Sequence, residues 1–238
     1  MRLRVRSGAD IHLADAFDEP GCPVCRERDR TAAAYLESIL AESVNDVGFR
    51  QDLDAARGFC PAHARAVLDA DRRRSGSLGA AILLRATLAV RLRELEAAAG
   101  AGGRTRAKRL DEARRRPACP ACERVERTES GIVDSLARLV DDPAWAEAVA
   151  AAPLCLEHLV ALAAQRPPST AWPGIEARQL DRLRALRDEL DAYAHASSHD
   201  RRHLLTDAHR ASVDQAADVL DGAGAQRPAA RRRGHAPG

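Results

Sequence analysis

Six cysteines and two histidines form four short pairs whose spacing is typical of metal coordination. Two pairs have the form Cys-Pro-x-Cys, and each is followed along the chain by a pair of the form Cys-x-x-His. The eight residues are Cys22, Cys25, Cys60, His63, Cys119, Cys122, Cys155 and His158. Three thiolates and one imidazole make a closed four-coordinate shell for a structural zinc ion. We therefore predict two zinc ions per chain, each held by three cysteines and one histidine.

The four pairs belong to a tandem repeat. The offset between the two copies is 97 residues at the first pair (22 to 119 and 25 to 122) and 95 residues at the second (60 to 155 and 63 to 158). Apolar residues at helical spacing follow the first pair of each copy. We expect each copy to complete its own site, Cys22–Cys25 with Cys60–His63 and Cys119–Cys122 with Cys155–His158.

Helix starts are expected to present these pairs. Pro23, Pro61 and Pro120 stand where proline is tolerated, at the first position of a helix. The backbone N–H groups and the positive end of such a helix favour the thiolate form of a nearby cysteine. Between the two pairs of the first copy, the sequence predicts antiparallel helices over residues 26–44 and 48–57.

A longer helix closes each copy, Leu78–Ala99 in the first and Ile175–Ala194 in the second. Apolar residues recur there at spacings of three and four. They are Leu88, Leu92 and Leu95 in the first helix, and Leu183, Leu186, Leu190 and Tyr193 in the second. This pattern predicts the seam of a helical bundle. We expect these residues in the core of the chain, and a homodimer through the long helices is the alternative.

These elements predict an all-α fold of two tandem helical modules, each tied by a Cys3His metal site and closed by a long bundle-forming helix. The predicted ranges are module 1–103, basic linker 104–116, module 117–196, an extra C-terminal helix 197–221 and a disordered basic tail 222–238. Residues 1–103 and 117–196 should each fold alone. The alternating Arg2–Arg6 segment is expected to be disordered rather than an edge strand.

Composition restricts the compartment and the partners. The chain has 238 residues, 45% of them hydrophobic but only 3% aromatic, and a net charge of +2. No signal peptide or membrane span is recognisable, so we expect a cytoplasmic protein whose cysteines bind metal rather than form disulfides. Basic residues concentrate in the linker and tail, and stacking aromatics are scarce. We therefore expect no nucleic-acid partner beyond weak nonspecific contact.

The function predicted from these features is a zinc-binding scaffold or partner-binding protein whose protein partner the sequence does not identify. A zinc ion with four protein ligands has no open position for water, so both ions should be structural. The alternative is a redox or iron–sulfur protein in an electron- or sulfur-transfer step, because three cysteines and a histidine can also hold iron. We expect no conventional enzyme, since no catalytic triad, carboxylate pair, Walker loop or dinucleotide-binding motif occurs.

Three further histidines, His195, His199 and His203, are spaced by four residues. On one continuous helix, two histidines at this spacing can share a metal ion. Ser197-Ser198, however, predicts a helix break within the stripe. We therefore interpret the stripe as an exposed polar face.

The duplicated Cys-Pro-x-Cys and Cys-x-x-His pattern on a helical chain resembles an uncharacterised family of bacterial proteins with two such metal-binding clusters. The resemblance extends over about residues 15–195 and rests on the eight cysteines and histidines named above. It implies a metal-binding helical protein, and it supplies no substrate or reaction.

Overall fold

The computed structural model describes residue 3 and residues 8–74, 76–115, 117–165, 169–198 and 201–222. The helices are α1 Gly8–Phe17, α2 Pro23–Ser38, α3 Val47–Ala55, α4 Pro61–Arg74, α5 Leu78–Ala99, α6 Gly103–Arg114, α7 Pro120–Leu139, α8 Pro143–Ala151, α9 Leu156–Ala164, α10 Trp172–Ala196 and α11 Asp207–Asp221. A π-helical turn at Ile39–Ser43 extends α2, and a 3₁₀ turn occupies Arg202–Leu204. No strand occurs in the described ranges, and the prediction of an all-α fold is confirmed.

Local sequence signals fix where the helices begin. Helices α2, α4 and α7 start at Pro23, Pro61 and Pro120, as predicted from the position of each proline in its motif. Asp46 and Asp142 cap α3 and α8, because their side chains accept hydrogen bonds from the backbone N–H groups of Phe49 and Ala144. The predicted long helices are present as α5 and α10.

The chain divides into two compact units that alternate along the sequence. Unit 1 comprises the described residues within 1–29 and 128–222, and unit 2 comprises those within 30–127. The boundaries fall within α2 and within α7. These units differ from the predicted modules 1–103 and 117–196, because each unit takes residues from both copies of the repeat.

Unit 1 is built around Trp145 of α8, which is fully buried. The ring of Phe17 packs edge-on against it, with 5.7 Å between the ring centroids. Helix α10 packs against α8 and α11, and α11 also packs against α9. Cys22, Cys25 and Cys155 belong to this same core.

Unit 2 has its own core, in which α5 packs against α3, α4 and α6. Leu53, Val67 and Leu83 are fully buried there, and Cys119 belongs to the same core. Asp71 is buried beside the start of α5 and accepts a hydrogen bond of 2.8 Å from the backbone N–H of Ala80. This carboxylate supplies the cap that Ser77 does not.

The predicted basic linker, residues 104–116, is largely helix α6 rather than a flexible joint. Ala113 of α6 is buried in unit 2, and backbone carbonyls of α6 accept hydrogen bonds from arginines of the same unit. Arg91 donates to the carbonyl oxygen of Ala113 at 2.5 Å, and Arg57 donates to that of Glu112 at 2.5 Å. Arginine and alanine are also good helix formers, so the composition that suggested a linker suits a helix equally well.

The expectation that Leu88, Leu92 and Leu95 lie in the core is wrong. Their side chains are 67%, 51% and 49% exposed on one face of α5. A different face of α5, with Ala80 and Leu83, is the one that packs. In α10 the corresponding residues Leu183, Leu186, Leu190 and Tyr193 are half-buried, so only this second seam contributes to the core.

The histidine stripe does not lie on one helix. Helix α10 ends at Ala196 with Ser197 as its C-cap, and His203 lies in the 3₁₀ turn. His199 lies outside the described residues, as do residues 2 and 4–6 and nearly all of the predicted tail, of which only Gly222 is described. Helix α11 occupies part of the range 197–221 predicted to form an extra C-terminal helix. Within the described part of the chain, none of the helices combines the length and apolar composition of a membrane span.

Candidate metal centres

Cys22, Cys25, Cys155 and His158 converge in unit 1 and are here called the first site. The Nδ1 atom of His158 lies 3.4, 3.3 and 3.0 Å from the sulfurs of Cys22, Cys25 and Cys155 respectively. The sulfurs of Cys25 and Cys155 are 3.7 Å apart. All four side chains are buried, and none is more than 2% exposed.

Cys60, His63, Cys119 and Cys122 converge in unit 2 and are here called the second site. The Nδ1 atom of His63 lies 3.2, 3.3 and 3.4 Å from the sulfurs of Cys60, Cys119 and Cys122 respectively. The sulfur of Cys122 lies 3.3 Å from that of Cys119 and 3.7 Å from that of Cys60. Cys60 and Cys122 are only half-buried.

Both sites fit a single tetrahedral metal ion. A regular tetrahedron with metal–ligand distances of about 2.0 to 2.3 Å has edges of about 3.3 to 3.8 Å. The ligand atoms of each site lie within 4.8 Å of one another, and the distances given above match or fall slightly below these edges. The donor set of three thiolates and one imidazole is one of those that structural zinc takes.

The predicted pairing of the ligands within each copy is wrong, since each site combines the Cys-Pro-x-Cys pair of one copy with the Cys-x-x-His pair of the other. Helix lengths provide a physical reason. Helix α2 has 16 residues and α3 only 9, and α7 has 20 residues and α8 only 9. At a rise of about 1.5 Å per residue, the second helix of each copy is shorter than the first, so a chain that turns back after the first helix covers only part of its length. The Cys-x-x-His pair therefore does not return to the Cys-Pro-x-Cys pair that precedes it.

Crowding of the sulfurs shifts their pKa values in opposite directions. In the first site, the sulfurs of Cys155 and Cys25 lower the pKa of Cys22, and the sulfurs of Cys155 and Cys22 raise the pKa of Cys25. In the second site, the pKa of Cys60 is likewise lowered and that of Cys122 raised by their neighbouring sulfurs. Three thiolates this close repel one another unless a cation lies among them, so a divalent ion would stabilise the fully deprotonated set.

The neighbouring sulfurs raise the pKa of both histidines, but by different amounts. Burial disfavours the charged imidazole of His158, but hydrogen bonds to Cys155, Cys22 and Glu129 raise its pKa to about 11. Burial likewise opposes charge on His63, and hydrogen bonds to Cys119 and Cys60 raise its pKa to about 9. In both sites the Nδ1 atom faces the sulfurs, which leaves Nε2 to bind other groups.

Residues that are not ligands surround the first site, and the sequence analysis did not identify them. The carboxylate of Glu129 accepts a hydrogen bond of 2.5 Å from Nε2 of His158. The buried guanidinium of Arg28 lies 3.8 Å from the same carboxylate. A Cβ atom at Gly222 would lie 3.0 Å from the sulfur of Cys25. The signal that could have found the two charged residues is that the repeat breaks there: the equivalent positions, at the same offset of 97, are Val125 and Ala32.

Comparison with known protein families finds a match, and it covers the part of the chain that carries both sites. A family model described as "Family of unknown function (DUF6062)" matches residues 7–171, which include all eight cysteine and histidine ligands. Neither the curated proteins nor the solved structures include a significant match to this chain. The match ends before α10 and α11, so these two helices lie outside the region that the family model describes. By the extent of the match, the chain belongs to this family of unknown function.

Proposed function

We propose that the chain is a zinc-binding helical scaffold that binds a protein partner and contains two structural zinc ions. The observation that carries this proposal is the convergence of three sulfurs and one imidazole nitrogen in each site, with all four ligand atoms within 4.8 Å of one another. Four protein ligands saturate a tetrahedral ion and leave no position for substrate or water. The role of each ion is therefore to hold the fold.

The positions of the ligands along the chain support a structural role. The contacts between the two pairs of the first site join residues 130 to 136 positions apart, and those between the two pairs of the second site join residues 56 to 62 positions apart. Closing loops of these lengths costs about 4 to 5 kcal/mol each in a chain-entropy model. A structural zinc ion contributes about 10 to 16 kcal/mol in small modules, so each ion would more than offset this cost.

The choice of zinc is supported by the space between the ligands. A multi-iron cluster needs room for bridging sulfides, whereas the sulfurs here lie 3.3 to 3.7 Å apart around one centre. Among single ions, zinc suits three thiolates and one imidazole in tetrahedral geometry. The competing function, an iron-containing redox protein, predicts a coloured protein with iron at the same residues.

Elemental analysis and a visible spectrum of the anaerobically purified full-length chain test this proposal. We expect a colourless protein with two zinc ions per chain, and Cys25→Ala should lower the zinc content to one. Ser130→Ala, at an exposed position of α7, is a matched control that should retain both ions. A brown protein with iron and labile sulfide would replace the scaffold proposal with the redox one. A chain that is purified with neither zinc nor iron bound would contradict both.

The partner surface and the compartment are part of the same proposal. Leu88, Leu92 and Leu95 form an exposed apolar row on α5, and such a row is suited to contact with another protein, including a second copy of the chain. Reduced cysteines at metal-ligand spacing also support a cytoplasmic location. Size-exclusion chromatography with light scattering tests the homodimer. A dimer that Leu92→Glu converts to a monomer would support this surface, and a monomeric parent chain would exclude the homodimer.

A further inference from the structure

We propose that the two metal sites are not equivalent: the first site retains its ion, and the second site is an exchangeable zinc site that competing ligands can reach. This inference rests on the proposed function, because it assumes that both sites bind metal. It assigns Glu129 as a positioning residue for His158 and the segment at Gly222 as a cover for the first site. Four features of the surroundings carry it.

The first feature is burial of the ligands. Every ligand of the first site is at most 2% exposed, so an incoming chelator has no contact with a sulfur until the chain opens. In the second site, Cys60 and Cys122 are half-buried, although His63 and Cys119 are buried. A competing ligand can therefore approach the half-buried thiolates while unit 2 remains folded. Access to a thiolate controls both ligand exchange and chemical modification.

The second feature is the carboxylate that positions His158. Glu129 accepts the Nε2 proton at 2.5 Å, which fixes the tautomer with Nδ1 free to bind metal and holds the ring in place. Among the residues that the structure describes, the ring of His63 forms its hydrogen bonds with the sulfurs of the second site. Loss of such a supporting carboxylate typically costs 10- to 100-fold in metal affinity.

The third feature is the charge around the first site. A zinc ion with three thiolates carries a net negative charge, and burying this charge is costly unless a cation lies nearby. Arg28 is buried, and its guanidinium lies 2.9 Å from the carboxylate of Asp29 and 3.8 Å from that of Glu129. At the position equivalent to Arg28 the second copy has Val125, and at the position equivalent to Glu129 the first copy has Ala32. The charged residues beside the first site therefore have no charged counterparts at the equivalent positions of the other copy.

A glycine at the end of α11 covers the first site. Gly222 is buried, has φ +78°, and lies so close that a Cβ atom would approach the sulfurs of Cys25 and Cys155 to 3.0 and 3.8 Å. Helix α11 packs against α9, the helix that carries His158. Because α11 lies beyond the family match, this cover is supplied by the C-terminal part of the chain.

Metal release from the zinc-loaded full-length chain tests the inequivalence. EDTA would withdraw the ions while N-ethylmaleimide traps each released thiolate; the sulfur adds to the maleimide double bond, and the adjacent carbon takes a proton from water. Peptide mass spectrometry then identifies which cysteines are modified at each time. We expect release in two steps, the slower one at least about tenfold slower. Cys60, Cys119 and Cys122 should be modified first, and Cys22, Cys25 and Cys155 later.

Matched variants identify the residues responsible. Glu129→Gln keeps the shape of the side chain but removes its charge, and it should speed release from the first site about tenfold or more without changing the second. Glu126→Gln, an exposed position one turn earlier on α7, should change neither rate. Gly222→Ala should also speed release from the first site. Gly103→Ala, at a positive φ of +49° with open space around it, controls for backbone strain.

The outcomes separate this inference from the proposed function. If two ions bind but leave in one step, or if the cysteines of the first site are modified first, the inequivalence is refuted and the two-zinc scaffold remains. If Glu129→Gln leaves both rates unchanged, Glu129 is not a positioning residue. If the chain holds no metal, both the proposed function and this inference are refuted.

Discussion

Replacing Gln179 with alanine tests how the turn that carries Cys155 is held in place. The Gln179 side chain is 1% exposed, and its Nε2 atom donates to the carbonyl oxygens of Val149, Ala150 and Ala152 at 2.8, 3.2 and 2.9 Å. These carbonyls lie at the end of α8, where the helix itself supplies no donors. The buried amide of Gln179 therefore binds the chain that leads into the first site, and Arg182 and the backbone N–H of Leu154 also donate to the carbonyl of Ala152.

The magnitude follows from the number of hydrogen bonds lost. An amide nitrogen has two hydrogens, so the three contacts amount to two full hydrogen bonds, one of them shared between carbonyls. Two lost bonds at about 1 kcal/mol each, with the cost of leaving a buried carbonyl unpaired, give a loss of about 3 kcal/mol. For a chain of this size, such a loss lowers the Tm by about 6 to 12 °C. Arg182 still donates to the carbonyl of Ala151 at 2.6 Å in this variant, which keeps the loss of stability from being larger.

Thermal melting of the zinc-loaded chain, followed by circular dichroism, measures this effect. The control is Gln165→Ala, because Gln165 is an exposed residue at the end of α9. We expect the Gln179→Ala variant to melt several degrees lower than this control while still binding two zinc ions at low temperature. Equal melting temperatures for the two variants would refute the role assigned to Gln179.

Two further predictions concern pH and the helix α6. In the metal-free chain the folded pKa of His63 is about 9, above its ordinary value of 6.5, so its contribution to stability is complete below about pH 6.5 and is lost as the pH rises through 9. Unfolding free energies measured in EDTA should show this decline, and the zinc-loaded chain should instead lose stability towards acid, where protons displace the metal. Arg91→Ala should expose α6 to trypsin because it removes the donor to the Ala113 carbonyl, whereas Arg93→Ala, at an exposed position on α5, should not. Equal cleavage of the two variants would contradict the packing of α6.

Local structure could be predicted from the sequence because it depends on nearby residues. The prolines at positions 23, 61 and 120 begin helices as expected, and the helix Leu78–Ala99 has the bounds that its apolar pattern predicted. The eight proposed ligands also converge into two sets of three cysteines and one histidine. Spacing within a pair is a local property, and the two members of each pair lie in the same cluster.

Which pairs combine could not be predicted, because it depends on helix lengths and on packing between distant segments. The repeat suggested that each copy closes on itself, yet Cys25 contacts Cys155 rather than Cys60. The apolar row Leu88, Leu92 and Leu95 has the same period whether it faces a core or solvent, and here it is exposed. The support from Glu129 was missed for a similar reason: its sequence signal is a break in the repeat, with Ala32 at the equivalent position, and that break gains meaning only once the distance from Glu129 to His158 is known.

Zinc stoichiometry of two double variants tests most directly the claim that each site combines both copies of the repeat. Cys25→Ala with His158→Ala removes two ligands from one site, so this chain should retain one zinc ion. Cys25→Ala with His63→Ala removes one ligand from each site, so that chain should retain none. Pairing within each copy predicts the reverse. Elemental analysis of the folded, purified variants that found no zinc in the first and one zinc in the second would contradict this account.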